Sequence, residues 1–233
     1  MVNPEFNPSL SHPYYFIRKN LYRKIGEYAD QLRGDLLDFG CGSKPYKSLF
    51  AHVTSYTGVD FENPGHPHLN EQIDCFYDGK TLPFESSRFD CIFCSEVFEH
   101  LFYLEEILPE LNRVLKPGGK ILITCPFVWP EHEKPHDFAR YTVYALKSRL
   151  ESNGFETLVI DKSGDFFTAL YQIRLVYFHD VCLPKLSLPF LIKAAKVMVI
   201  PVLNTAGLFL QKLLPTNKDL YLNNIILAQK KSS

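Results

Sequence analysis

Residues 36–46 read LLDFGCGSKPY, and this stretch decides the fold. A short apolar run, Leu36 to Phe39, leads into Gly40-Cys41-Gly42, so the expectation is a strand that turns tightly into a helix. Glycine lets a backbone approach a ligand with no Cβ in the way, and the amides at a helix start point toward that ligand. A second strand, SYTGVD (55–60), ends in Asp60. An acid at that place can accept hydrogen bonds from both hydroxyls of a ribose. A dinucleotide is disfavoured, because its fingerprint asks for a small residue where Pro45 stands. Asp38, just ahead of the turn, would also repel a pyrophosphate, whereas it suits a ligand carrying an ammonium group.

Working outward, residues 16–33 have helical apolar spacing, with Ile17, Leu21, Ile25 and Tyr28 on one side. Strands are expected over 72–78, 89–96, 120–127 and 156–162, and helices over 100–115 and 142–155. Lys116-Pro117-Gly118-Gly119 reads as a stop after the first of those helices. Strands alternating with helices predict a parallel α/β sheet. Continuously apolar strands such as CIFC and ILIT fit a sheet covered on both faces. LYLNNIILAQKK (220–231) reads as a closing strand.

The 233 residues suffice for one large domain, and the net charge of -1 with no long basic run argues against a general nucleic-acid binder. Six cysteines are too few for a disulfide scaffold, and the first fifteen residues hold no apolar signal segment. Reduced thiols and a cytoplasmic location are therefore expected. Cys91 and Cys94 lie three apart on a strand and point to opposite faces, which argues against a metal or redox pair. Residues 186–214 are strongly apolar and read as helical, broken at Pro201. Their longest uncharged run, Val197 to Gln211, falls short of the roughly 18–20 residues of a membrane span. Packing on the domain or on a second copy is expected, with a membrane-surface contact as the alternative.

His132-Glu133-Lys134-Pro135-His136 fits the written pattern of a zinc-protease helix. Pro135 removes the helix that pattern needs, and only His66 and His68 offer themselves as further ligands, so a loop without metal is expected. Because the loop follows the fifth strand, it should lie near an acceptor. Its candidates for a general base are His136, then His132, then His100. Arg140 and Asp137 either contact the acceptor or pair to fix the loop.

Taken together, these motifs resemble those of the class I S-adenosylmethionine-dependent methyltransferases over roughly residues 15–165. Asp38-Phe39-Gly40-Cys41-Gly42 resembles that family's first motif, and Val59-Asp60-Phe61 its second. Asp78-Gly79-Lys80-Thr81-Leu82-Pro83-Phe84 resembles its D-x-x-x-L-P-F segment. Ser95-Glu96-Val97-Phe98-Glu99-His100 resembles its fourth-strand motif, and 113–119 its turn into the fifth strand. The resemblance implies S-adenosylmethionine as cofactor, with Asp60 on the ribose, Phe61 against the adenine, Asp78 on the adenine amino group, and Ser95 and Glu96 beside the reacting methyl. It implies a Rossmann-like, doubly wound, mostly parallel seven-stranded sheet with an antiparallel last strand, plus extra C-terminal helices. On this reading 1–233 is one domain, with a core of about 15–165, a helical insertion of about 166–215 and a closing strand of about 219–230. Pro135-His136-Asp137-Phe138-Ala139-Arg140-Tyr141-Thr142 is similar to the P-x-D-F-x-R-Y-T segment of a subgroup associated with cell-surface sugars and glycans. A small-molecule or sugar-type acceptor, methylated on oxygen or nitrogen, is the resulting expectation. The alternatives are a non-catalytic cofactor-binding partner subunit and, less favoured, a nicotinamide oxidoreductase.

Overall fold

The computed structural model describes residues 4–61 and 72–232. His66 and His68 lie outside the described residues. The chain divides into two compact units.

The larger unit comprises Ile25–Asp161 and Asn224–Ser233. It carries the sheet, formed by β1 (Asp35–Phe39), β2 (Ser55–Phe61), β3 (Cys75–Tyr77), β4 (Phe89–Ser95), β5 (Leu115–Pro126), β6 (Phe155–Ser163) and β7 (Asn223–Lys230), the last two running on into the smaller unit. The strand order is β3-β2-β1-β4-β5-β7-β6, with β7 the one antiparallel strand. β1 is paired in parallel with β2 on one side and β4 on the other, placing Asp38 between Gly58 and Phe93. The order therefore reverses between β1 and β4, and the crevice beyond their carboxyl ends is where a doubly wound sheet binds its ligand.

The core explains the strands. Leu37, Phe39, Ile92, Cys94, Ile121 and Ile123 are fully buried. The helix over Leu104–Val114 presses Leu104, Ile107, Leu108, Leu111 and Val114 onto them. Burying each such side chain contributes about 1.5–3 kcal/mol. Asn224 at the start of β7 donates to the carbonyls of Cys125 and Tyr141, tying the end of β5 to the loop that follows it. The helix over Val143–Ser152 is capped by Thr142, whose hydroxyl accepts the Ala145 amide.

Three local expectations change. No α-helix follows the glycine turn, only a single 3-10 turn over Lys47–Phe50. Lys44 precedes a proline, which disfavours the right-handed helical region, and it sits at φ 53. Lys116–Gly119 is not a stop but part of β5: Phe89 pairs with Leu115 and Cys91 with Lys120, so these residues bulge out of the strand. The helix expected from residue 100 starts at Leu104, and Phe98–His100 forms a separate 3-10 turn just after β4.

The smaller unit comprises Met1–Lys24 and Lys162–Asn223. Its helices cover Phe166–Val176, Pro189–Ala194 and Ile200–Leu213. Buried Gln172 accepts the Ile17 amide and donates to the Pro13 carbonyl, and Asn204 donates to the carbonyls of Leu10 and His12, so two amide side chains hold the N-terminal arm. Pro201 does not break the last helix. The π-helical turn Ala195–Val199 runs directly into Ile200–Leu213, and Pro201 is accommodated at that junction. As a result, Ile192–Leu213 forms one helical stretch of 22 residues, long and apolar enough by length and composition to cross a membrane.

Candidate active site

A cleft of about 180 Å³ opens at the β1/β4 reversal, lined by Gly40, Gly42, Asp60, Phe61, Tyr77, Glu96, Val97, His100, Leu101 and Glu133. The glycine turn forms one wall. Gly40 has φ 71, and a Cβ there would lie 2.3 Å from Val97 Cγ2, so only glycine fits. The amides of Gly40 and Cys41 both donate to the Val59 carbonyl, pinning the turn to β2. Asp60 Oδ2 accepts the Gly42 amide at 2.7 Å, and Oδ1 accepts the Phe61 amide at 2.8 Å. Phe61 packs edge-on against Tyr77 and within 3.0 Å of where a Cβ on Gly79 would be, which makes a flat apolar shelf beside the acid.

Glu96 stands at φ 56 just past β4. Its Oε1 accepts the Thr124 hydroxyl, which is in turn 2.8 Å from Ser95 Oγ, so Ser95, Thr124 and Glu96 form a chain. His100 follows on the 3-10 turn. Its Nδ1 lies 2.6 Å from the His136 carbonyl, which can only accept. Nδ1 therefore carries the proton, and in the neutral ring Nε2 keeps a lone pair. Beside it Glu99 is fully buried, and burial together with the Glu96 carboxylate pushes its acid well up from the usual range.

The loop over 129–140 is built as Pro135 required. Glu133 has φ 47, and no helix forms over 131–136. Arg140 clamps both oxygens of Asp137, at 2.5 and 2.7 Å, and also donates to the carbonyls of Trp129, Pro130 and Ala139. Asp137 takes the His132 amide as well, and its carboxyl is lowered to about 2 by Arg140 and by that amide, against the opposing effect of burial. The Phe138 and Ala139 amides donate to the Glu99 carbonyl, so the loop is moored to the turn after β4.

Of the residues read from the sequence, Gly40, Gly42, Asp60, Phe61, Glu96 and His100 meet in the cleft. Phe39 is a core residue, and Cys41 is buried behind the turn. Asp38 is buried under the turn and accepts the Tyr56 hydroxyl at 2.5 Å, and burial raises its carboxyl to about 7. Asp78 Oδ1 takes the amides of Lys80 and Thr81 and so caps a turn that Gly79 continues. His132, His136 and Arg140 are not among the lining residues, and what His136 supplies to His100 is a carbonyl. Tyr77, Val97, Leu101 and Glu133 line the cleft as well, although Val97 and Glu133 had no role assigned within their motifs and Tyr77 and Leu101 lie outside any motif. Tyr77 and Leu101 sit one residue outside motifs, and side-chain direction there depends on turns that periodicity does not describe.

The cleft's chemistry fits an adenosyl amino acid. Asp60 suits a ribose diol, Phe61 an adenine face, and the carboxylates of Asp60, Glu96 and Glu133 suit a ligand bearing cationic sulfonium and ammonium groups. The methyltransferase domain family matches residues 37–123. A phthiotriol/phenolphthiotriol dimycocerosates methyltransferase of Mycobacterium ulcerans is 29% identical over 114 residues, 45% of this chain and 42% of that protein. The O-methyltransferase rstn1 of Aspergillus nomiae is 28% identical over 177 residues, 63% of this chain and 77% of that protein. The chain thus spans less than half the length of the mycobacterial relative. Among solved structures, the [4+2]-cyclase SpnF superposes with a TM-score of 0.56 at 18% identity over 93% of this chain and 82% of that one. An S-adenosylmethionine-dependent methyltransferase from Mesorhizobium loti gives 0.52 at 14% identity over 92% and 98%. At such identities the structural likeness speaks for the fold alone. The family match over residues 37–123, which hold the glycine turn and β4, together with a sheet of this order, supports an S-adenosylmethionine-dependent methyltransferase domain over that segment.

Proposed function

We propose that the protein transfers a methyl group to a hydroxyl oxygen of a small-molecule or sugar-type acceptor. The observation that carries this is His100 Nε2, which holds a lone pair at the β4 end of the cleft, away from the Asp60–Phe61 shelf. Asp60 and Phe61 would hold the nucleoside, and the glycine turn with Glu96 would hold the amino-acid end. The cofactor supplies an already activated methyl, so the protein's part is alignment and removal of the acceptor's proton. His100 and Glu133 are the proton-accepting groups lining that end. The O-methyltransferase name of one relative supports oxygen as the nucleophile, and the P-x-D-F-x-R-Y-T likeness supports a sugar-type acceptor. The SpnF likeness is a reminder that this fold hosts other chemistry. The test is turnover of labelled S-adenosylmethionine against a panel of hydroxyl and amine acceptors. Product on hydroxyls supports the reading, whereas product on amines alone, or none, contradicts it.

We further propose that the protein works in the cytoplasm, at an anionic membrane surface. Ile192–Leu213 has only 17% of its most apolar window buried. Phe190, Val197, Met198, Val202, Phe209 and Leu213 are exposed. The chain carries no acid from Val181 to Lys218 but has Lys185, Lys193, Lys196, Lys212 and Lys218 there. Apolar surface flanked by lysines suits anionic lipid. A second copy packing on the same face is the competing arrangement.

A further inference from the structure

We propose that Glu99, His100 and His132 bind one divalent transition-metal cation at the acceptor end of the cleft. Among the described residues these three offer ligand atoms that all lie within 4.8 Å of one another. A tetrahedral cation with bonds of about 2.0–2.1 Å spaces its ligands roughly 3.3 Å apart. Glu99 Oε1 and His100 Nε2 are 3.7 Å apart, so little closure is needed. The two histidine rings meet edge-on with centroids 4.8 Å apart.

Independent features point to a ligand here. Glu99 Oε1 is fully buried and makes no hydrogen bond, although a buried carboxylate oxygen without a partner is costly. Its other oxygen faces the Cys125 thiol, which fixes the carboxylate's orientation. His100 has the tautomer of a metal ligand, with Nδ1–H held by a backbone carbonyl and Nε2 left open. Asp137 Oδ2 stands 3.3 Å from His132 Nδ1 without the alignment of a hydrogen bond, and its contact with the His132 backbone amide holds that residue in place. Glu133 Oε2 lies 3.9 Å from His100 Nε2 and lines the cleft, so the cluster reaches the space the acceptor would fill.

Two imidazoles and a carboxylate favour Zn²⁺, Mn²⁺, Co²⁺ or Fe²⁺ over Mg²⁺ or Ca²⁺. Three protein ligands leave a position for the acceptor oxygen. The bound cation lowers the pKa of that hydroxyl. With His100 Nε2 committed to the cation, the proton passes to Glu133, the other proton-accepting group lining that end. The oxygen's electron pair forms the new O–C bond, and sulfur keeps the pair of the broken S–C bond. This catalytic use rests on the proposed methyl transfer, whereas occupancy of the site does not. The His132–His136 pattern thus has a bearing on metal after all: His132 takes part, but with Glu99 and His100 of the turn after β4 rather than with His136.

The test is calorimetric titration of metal-free protein with ZnCl₂ and with MnCl₂, without cofactor or acceptor. One equivalent is expected to bind, and Glu99→Gln and His132→Ala should each weaken it at least tenfold. Anomalous scattering from wild-type crystals grown with Zn²⁺ should show a peak between the three residues, a readout that needs no variant. No uptake, uptake undiminished in both variants, or a peak elsewhere overturns the inference. S-adenosylhomocysteine binding, measured separately, distinguishes the failures. Cation binding without it would sink the proposed function alone, and its binding without any cation would sink this inference alone.

Discussion

Asp60 Oδ2 accepts the amide of Gly42 at 2.7 Å, so the acid that ends β2 also sets the glycine turn that ends β1. One side chain therefore does two jobs: it lines the cleft and fixes the backbone that forms its wall. The ionised form is the better acceptor for an amide, which ties the shape of the turn to the charge of the acid.

Gly40→Ala should be among the most damaging small substitutions. The new methyl would meet Val97 Cγ2 at 2.3 Å on a backbone at φ 71. Overpacking and strain of this kind cost about 1–3 kcal/mol each. Urea denaturation should show a loss of about 2–6 kcal/mol from the two together, and Val97→Ala in the same chain should recover part of it. A Gly40→Ala protein as stable as wild type would mean that the turn is not held as described.

Asp38 should make stability fall as pH rises. Its carboxyl is near 4 in the unfolded chain and raised to about 7 by burial in the fold. Between those values the folded state holds the extra proton, so stability is lost as pH climbs from about 4 to about 7, at up to about 1.4 kcal/mol per pH unit. Asp38→Asn should flatten that slope in denaturation curves taken at pH 5, 6 and 7. An unchanged slope would show that the raised acid is another group.

Asp137 has the opposite sign. Held at about 2, it contributes stability that is fully present above pH 4 and lost as pH falls toward 2. Asp137→Asn leaves Arg140 with a neutral partner and should loosen the loop over 129–140. Faster amide exchange at His132, Phe138 and Ala139 is expected, with little change in β1 or β4. Exchange unchanged at those three amides would contradict the clamp.

Much of the sheet was legible because its cues are local and redundant. Apolar runs such as Ile121–Ile123 announce buried strands, and Gly40 and Gly42 announce a turn that needs positive φ. The short 3-10 turn over Lys47–Phe50, the bulge at Lys116–Gly119 and the separate turn over Phe98–His100 were not legible. The first depends on the conformation of the residue before a proline, the second on pairing across strands, and the third on the loop amides of Phe138 and Ala139 that bond the Glu99 carbonyl. The same limit applies to the cleft. Asp60 and Phe61 end a strand, so their place follows from its direction. Glu133 and His132 are held at the turn after β4 by the Arg140–Asp137 clamp, the Glu99 carbonyl and the bond from His100 to the His136 carbonyl, partners that no spacing rule connects.

The membrane proposal predicts flotation with vesicles containing anionic phosphatidylserine and weaker flotation with neutral phosphatidylcholine. Adding 0.5 M salt should reduce the former, because a surface potential acts over about a Debye length. Phe209→Ser with Val202→Ser should abolish it. Equal behaviour on both lipids, or a concentration-dependent dimer with no flotation, would assign the exposed face to a protein partner instead.

The most direct measurement is calorimetric titration of the wild-type protein and Asp60→Ala with S-adenosylhomocysteine, with NAD⁺ as the comparison. Loss of a hydrogen-bonding carboxylate to ligand and turn removes about 1.5–3 kcal/mol for each charged bond. The prediction is one site in the wild type, affinity at least tenfold weaker in Asp60→Ala, and no heat from NAD⁺. No binding of S-adenosylhomocysteine, equal affinity in the two proteins, or preference for NAD⁺ would contradict the account at its centre.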